Sequence, residues 1–293
     1  MEQMKFSLDH VLAQLPRPPR RVVSLVPSYT ESLFELGFGS SVVGITDYCI
    51  HPSNALKNIP RVGGPKNARL ESILSLEPEL VLANPEENPA DLVFALFEKG
   101  IPVWVSFPQT VQDAIQFLWG LVDLYRDKQA ALKVRVLEQS WEFARQVSES
   151  LPRFRYFCPV WEETLTGQIR WITFNDQTYP ADLLSLFGGE NIFGAKQKEK
   201  PSGEGQDLDL RYPVVTPDEV CSGDPEVILL PDEPFSFESS AVERFIKLFQ
   251  NTPAVKKNRI WLIPGDTLFW YGVRLGKALS DFPEVFSSLY SME

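Results

Sequence analysis

The chain holds only two histidines, His10 and His51, and three cysteines, Cys49, Cys158 and Cys221, so metal or covalent chemistry has few places to start. Cys49 and His51 alternate at the end of an apolar run, and on an extended chain they share one side. Imidazole with thiolate suits zinc, iron or the axial position of cobalt, and carboxylates such as Glu86 or Glu87 would have to complete an all-protein site. In the competing reading Cys49 packs as a small hydrophobe and His51 ends a turn ahead of Pro52. A Ser-His-Asp arrangement would depend on His51, because His10 precedes the first strand signal. There is no Gly-rich loop ending in Lys-Ser or Lys-Thr. GFGSSVVG, from Gly37, follows a helix and precedes a strand, the reverse of a dinucleotide site. These residues point to binding without catalysis and without a required cofactor.

The elements that must position these groups alternate. RVVSLV is a short β-branched run stopped by Pro27, with Ser28 to Thr30 placed to cap the amphipathic ESLFELG. VVGITDY, LVLA and IPVWVS read as further strands, with helices at ARLESILSL (Leu70, Ile73, Leu74 and Leu76 inward) and DLVFALFEKG. From Val111 to Glu149 no strand signal occurs, and Ala130, Val134, Leu137, Trp141, Ala144 and Ser148 recur at helical spacing, which predicts one long helix. Strands return at RYFCPVW, WITF, EVILL and RIWLI, with a helix at ADLLSLFGG. The polar stretch 195–209 reads as an exposed loop. The predicted fold is α/β: a lead over 1–20, an α/β lobe over 21–110, a helical connection over 111–150 and a second α/β lobe over 151–293, each lobe with a parallel sheet.

A repeat links the lobes. LESILSLEPELVLANPE from Leu70 aligns without a gap on PDEVCSGDPEVILLPDE from Pro217, an offset of 147 positions. Both segments read as an acidic helix start, a short helix, acid-Pro-Glu and a buried strand. Duplicated lobes imply a cleft between them.

Ligands of parallel sheets sit beyond the carboxyl ends of the strands. That rule selects Ser28, Tyr29 and Thr30 after the first strand, Tyr48, Cys49 and His51 after the second, Glu86, Glu87 and Asn88 after LVLA, and Phe107 after IPVWVS. In the second lobe it selects Trp161, then Asn175 and Asp176, then Phe235, and near the end Trp270, Tyr271 and Arg274. Aromatic rings at these places suit a large, flat, amphipathic solute such as a corrinoid or an iron chelate. The same rings could instead fill cores, as expected of Trp104, Trp119, Trp141 and Trp261. Arg274 either pairs with a ligand anion or forms a structural ion pair.

A net charge of -11, from 28 Lys and Arg against 39 Asp and Glu, opposes docking on nucleic acid or anionic lipid. No stretch approaches the ~18 to 20 apolar residues of a membrane span, so direct membrane insertion is not expected. The opening MEQMKFSLDHVLAQLPRPPRR lacks the apolar segment of a secretory signal. The expectation is a cytoplasmic monomer as the sequence stands, or an extracytoplasmic one if the start is trimmed. Three cysteines far apart do not form a disulfide framework.

In order and spacing, RVVSLVPSYTESLFELG, VVGITDYCIHP, RVGGPKNARLESILSLEPELVLA, GGENIF, RYPVVTPDEV and WYGVR resemble the class III periplasmic binding proteins, in particular the cobalamin-binding and helical-backbone metal-receptor branch. The resemblance runs from about Arg20 to the C-terminus. It implies two lobes bridged by a rigid helix, little hinge closure, a ligand such as cobalamin, an iron-siderophore, haem or a metal ion, and delivery to the permease of an ABC importer. It further implies that the acids at matched places of the repeat, Glu71 and Asp218, dock on importer arginines; the alternative is stabilisation of the helix dipole. Two other function classes stay open. An intracellular tetrapyrrole- or metal-handling enzyme or chaperone would use Cys49, His51 and Glu86 or Glu87, and a pure interaction scaffold would bind no chelate.

Overall fold

The computed structural model describes residues 3–165, 167–197 and 209–290. The stretch 195–209, expected as a loop, lies outside the described residues except at its ends. The chain divides into two compact units: Met1–Pro108, Gln112–Gln139 and Trp270–Gly276 form unit 1, and Gln109–Val111, Ser140–Phe269 and Lys277–Glu293 form unit 2.

Unit 1 opens with a 3-10 turn (Gln3–Phe6) and α1 (Leu8–Gln14), where the sequence suggested only a lead. Phe6 explains the difference, since it packs edge-on against Phe94 and Phe97 and joins the apolar core. Then follow β1 (Val22–Ser24), α2 (Pro27–Leu36), β2 (Val42–Ile45), α3 (Leu70–Leu74), β3 (Leu80–Ala83), α4 (Ala90–Glu98) and β4 (Val103–Val105). The four strands make one parallel sheet in the order β2-β1-β3-β4. Every residue of β1 and β3 is buried, as expected of parallel strands covered on both faces. Pro27 occupies the first turn of α2, where its missing N–H costs nothing, and Gly37 at φ 99° ends the helix in the left-handed conformation.

The helical stretch is two helices, α5 (Val111–Tyr125) and α6 (Lys128–Ser148). The single helix expected from Val111 breaks at Arg126, which has φ 54°. The periodic residues Ala130 to Ser148 all fall in α6, so the long helix of the sequence reading is this second one. Asp127 caps it by accepting the Ala130 N–H at 2.8 Å.

Unit 2 contains β5 (Phe154–Phe157), β6 (Trp161–Leu165), β7 (Gln168–Ile172), α7 (Tyr179–Ser185), β8 (Gly189–Asn191), β9 (Val214–Val215), α8 (Pro217–Gly223), β10 (Val227–Pro231), α9 (Ser239–Leu248), α10 (Pro253–Lys256), β11 (Ile260–Ile263), α11 (Gly265–Phe269), α12 (Leu275–Val285) and α13 (Ser287–Tyr290). Its main sheet is parallel in the order β11-β10-β5-β8. WITF, read as a further strand, contributes Trp171 and Ile172 to β7, which lies not in the parallel sheet but in an antiparallel hairpin of β6 and β7 extended by β9. The core of this unit is aromatic: Phe157, Trp171, Phe193, Phe237, Phe245 and Phe249 cluster around β10.

The repeat of sequence is a repeat of structure. α3–β3 and α8–β10 carry left-handed residues at matched positions, Glu77 at φ 44° and Asp224 at φ 47°. Ile73 and Val220, also matched, are both fully buried. An arginine clamps each turn: Arg21 Nε donates to the Leu76 and Glu77 carbonyls at 3.0 and 3.1 Å, while Arg155 Nε and Nη2 donate to the Asp224 carbonyl at 3.0 Å. The N–H of Glu79 donates to Arg21 O at 2.7 Å, and that of Glu226 to Arg155 O at 2.8 Å. The two carboxylates close the motif by accepting backbone N–H groups, Glu79 from Arg20 at 2.6 Å and Glu226 from Arg155 at 3.0 Å.

Candidate functional site

In unit 1 the carboxyl end of the sheet is organised by Asn84, which follows β3 directly and is fully buried. Its amide donates to Tyr271 Oη at 2.6 Å and to Ser106 O at 3.2 Å, and its Oδ1 accepts the Glu86 N–H at 2.7 Å. Asn88 Oδ1 accepts the Asn84 N–H at 2.8 Å, and Asn88 donates to Leu25 O and Pro65 O. These bonds hold the loop with Glu86 and Glu87 half-exposed above it. Tyr29 donates to Ser106 O at 2.9 Å and stacks on Phe117 at 4.0 Å between centroids. Burial pushes the Tyr29 and Tyr271 phenols well above their usual value, so both stay neutral donors.

Three expectations need correction here. Ser28 to Thr30 do not cap α2: its N-cap is Val26, with no side-chain cap bond, because the helix already starts at Pro27, after a connection of only Leu25 and Val26. Thr30 is fully buried and donates to Ser24 Oγ at 2.9 Å and Val26 O at 3.2 Å, and Tyr29 and Ser28 are buried too. Cys49 does not point outward with His51. The extended strand ends at Ile45, a turn intervenes, and the Cys49 sulfur is buried between Thr30 Oγ1 at 3.1 Å and Thr46 Oγ1 at 3.2 Å. Burial pushes its thiol up, which disfavours the thiolate that a metal would need. Among the described residues no group of three or more His, Cys, Asp or Glu side chains could hold a metal ion. Arg274 is buried in a bidentate pair with Glu31, Nε to Oε2 at 2.8 Å and Nη2 to Oε1 at 2.5 Å, so its fork of donors is already engaged.

What unit 1 does present at this end is aromatic. His51 is half-exposed and meets Trp270 edge-on at 5.7 Å, and Trp270 is backed by the Arg274 guanidinium at 5.2 Å from its ring centre. Tyr48 and Ile50 are exposed, and Phe107 is half-exposed. Ile50 escaped selection from the sequence, whereas Asn84 stands in the 84–88 loop that the strand-end rule selects after LVLA.

In unit 2 Trp161 is exposed at the start of β6 and meets Phe235 edge-on at 5.4 Å. Phe235 leans on buried Phe237 at 4.8 Å. The hairpin is pinned next to Trp161 by Glu162, which pairs with Arg244 and accepts Trp171 Nε1 at 2.9 Å. Asn175 is buried and structural: it donates to Lys196 O at 3.1 Å and accepts the Gln177 N–H at 3.0 Å. Asp176 is exposed beside Gly194, where a Cβ has no room, and partial desolvation raises its carboxyl. Of the four tryptophans expected in cores, Trp104 is buried and Trp119, Trp141 and Trp261 are half-buried. Glu71 and Asp218 are both exposed in the first turn of their helices.

The family model described as periplasmic binding protein matches residues 22–267, most of the chain and both of its parallel sheets. The chain belongs to this family. It is 24% identical over 279 residues to the vitamin B12-binding protein of Vibrio parahaemolyticus, covering 95% of this chain and 93% of that one. The crystal structure of the periplasmic vitamin B12 binding protein BtuF of Vibrio cholerae superposes with a TM-score of 0.76 at 24% identity, over 94% of this chain and all 100% of BtuF. The periplasmic heme-binding protein RhuT from Roseiflexus, in apo form, superposes with a TM-score of 0.74 at 22% identity, over 93% and 99% of the two chains. The family consists of binding proteins and not of enzymes, in keeping with the expected fold and solute-binding role.

Proposed function

We propose that this binding protein captures a flat, amphipathic chelate of the corrinoid or haem class outside the cytoplasmic membrane and delivers it to an ABC importer. The observation that carries the reading is the placement of solvent-facing aromatic rings at the carboxyl ends of the parallel strands in both units. Rings supply contact area at little entropic cost, and indole and phenol tips add hydrogen bonds. Tyr48, His51, Phe107 and Trp270 of unit 1 and Trp161 and Phe235 of unit 2 are the contact residues, with Glu86, Glu87 and Asp176 as polar neighbours. The chelate brings its own metal, and Cys49 takes no part. The relatives named for vitamin B12 and heme support this ligand class. Among the described residues no helix is long and apolar enough to cross a membrane. Glu71 and Asp218 are the docking acids, at matched places of the repeat and open to a partner's arginines.

Tryptophan fluorescence titrated with cyanocobalamin, haemin and a ferric siderophore is expected to saturate for at least one. Trp161→Ala and Trp270→Ala should each weaken that binding by about tenfold or more. No saturation at micromolar ligand, with a converted product accumulating, would overturn the reading. Charge reversal at Glu71 and Asp218 should abolish uptake and leave ligand affinity unchanged; normal uptake would remove their docking role.

A further inference from the structure

The side chains of Arg274 and Glu31 are only 8% and 14% exposed, and the pair between them is bidentate. A buried ion pair is a poor stabiliser, because desolvation of two charges offsets their attraction, and apolar residues of similar volume serve a fold as well or better. Nor is the pair needed to tie its segment to unit 1. Tyr271 Oη accepts from Asn84 at 2.6 Å, and the Val273 N–H donates to Ser32 Oγ at 3.3 Å. Gly272, at φ 94°, sits so close to Ser32 that a Cβ would come within 2.4 Å of its Oγ. That hydroxyl donates to Ser28 O at 2.8 Å, which fixes it on α2.

What the pair adds to these contacts is a flat cation against an indole. The Arg274 guanidinium lies over the Trp270 ring, 5.2 Å from its centre and within cation–π range. Its plane is set by the carboxylate, since Glu31 accepts from both Nε and Nη2 and leaves the fork no freedom to turn. Trp270 in turn meets His51 at 5.7 Å, with the ring planes at 69°. Four groups of unit 1 therefore form one line of contact, from a buried ion pair to two half-exposed rings at the carboxyl end of the sheet.

We propose that Glu31 and Arg274 are positioning residues for ligand capture: without touching the ligand, they fix the plane of the Trp270 indole, and through it the His51 ring, before the ligand arrives. The inference rests on the reading of Trp270 and His51 as contact residues. It gives Arg274 a part in binding that its engaged donors deny it as a direct contact. An aromatic side chain that is already oriented loses little freedom on binding, so more of its contact energy appears as affinity.

The test replaces the pair by apolar residues of similar volume, Glu31→Leu with Arg274→Met, and reads fold, ring and ligand separately. The urea midpoint should stay near that of the natural chain. The near-ultraviolet circular dichroism band of Trp270, taken as the difference between each protein and its Trp270→Ala counterpart, should collapse as the indole gains freedom. Calorimetric titration with cyanocobalamin, haemin and a ferric siderophore should show the affinity for the bound chelate falling by about tenfold. In a Trp270→Ala background the same two substitutions should change it by less than about twofold, because an effect that runs through the ring cannot outlast the ring. Arg274→Lys keeps the charge beside Glu31 and removes the planar fork; it should lose the band and part of the affinity, and it decides the matter if the apolar pair does not fold. An unchanged band, an unchanged affinity, or an equal loss of affinity with and without Trp270 overturns the proposal. A natural chain that binds none of the three chelates overturns the ligand reading instead, and the band then decides whether the pair positions the ring.

Discussion

The two copies of the repeat share a backbone and part ways one residue after the strand. Through α3–β3 and α8–β10 they agree down to the left-handed turn residue and the arginine that clamps it. Beyond β3 the chain enters a loop built on two buried asparagines, Asn84 and Asn88. The matched places beyond Leu230 are Pro231 and Phe235. There the polar work passes to exposed Asp232, whose Oδ1 accepts the Gly265 N–H at 2.7 Å and caps α11. A duplicated frame has thus been given one rim fixed by internal hydrogen bonds and one that displays an aromatic side chain. The frame answers to stability, the rim to what the protein binds.

The largest test of that contrast is Asn84→Ala, which strips buried partners from Tyr271, Ser106 and the Glu86 N–H. It should cost about 2 to 3 kcal/mol in urea unfolding, while Asp232→Ala, losing one exposed cap, should cost about 1 kcal/mol or less. Equal costs would erase the distinction between the rims. A smaller effect separates the arginine clamps by pH. The Arg20 N–H, and then Arg17, hold the Glu79 carboxyl below the usual carboxylate range. A depressed carboxylate adds stability above its unfolded pKa of about 4.3, and that stability is lost as pH falls through the lower folded value. The gap in urea midpoint between the natural chain and Glu79→Gln should therefore be full at pH 7 and close in the acid range; a constant gap would assign the effect to packing. The smallest effect should be a matched pair. Glu77→Gly and Asp224→Gly relieve the same left-handed strain, so each should stabilise by about 0.5 to 1 kcal/mol, with the same sign. Opposite signs would mean that the two turns are not equivalent.

The frame was legible because it is local and periodic. β-branched runs, Pro27 at a helix start and Gly37 at its end act within a dozen residues, and the gapless repeat shows by direct comparison of two 17-residue segments. Elements without such marks were missed: β8 is Gly-Glu-Asn, α1 sits in a Pro- and Arg-rich lead, and the break between α5 and α6 rests on Arg126, which is no turn residue. The rule of strand ends found the right loops but not the side chains that face outward. Ser28, Tyr29 and Thr30 turned in because only Leu25 and Val26 separate β1 from α2, which puts all three in the first turn or so of the helix. Asn175 and Asn88 turned in because each satisfies backbone groups that burial would otherwise leave unpaired. Arg274 could be read as ligand-binding or structural, and only Glu31, 243 residues away in sequence, decides between them.

The segment Trp270–Gly276 belongs to unit 1 although unit 2 precedes and follows it. The hydrogen bond from Asn84 to Tyr271 spans 187 residues, so during synthesis the buried amide waits until the chain as far as Tyr271 has left the ribosome. Closing so long a loop comes late in folding. A nascent chain halted before Trp270 would hold the sheet of unit 1 with an open polar seam, a natural place for a chaperone to hold and for quality control to read incompleteness.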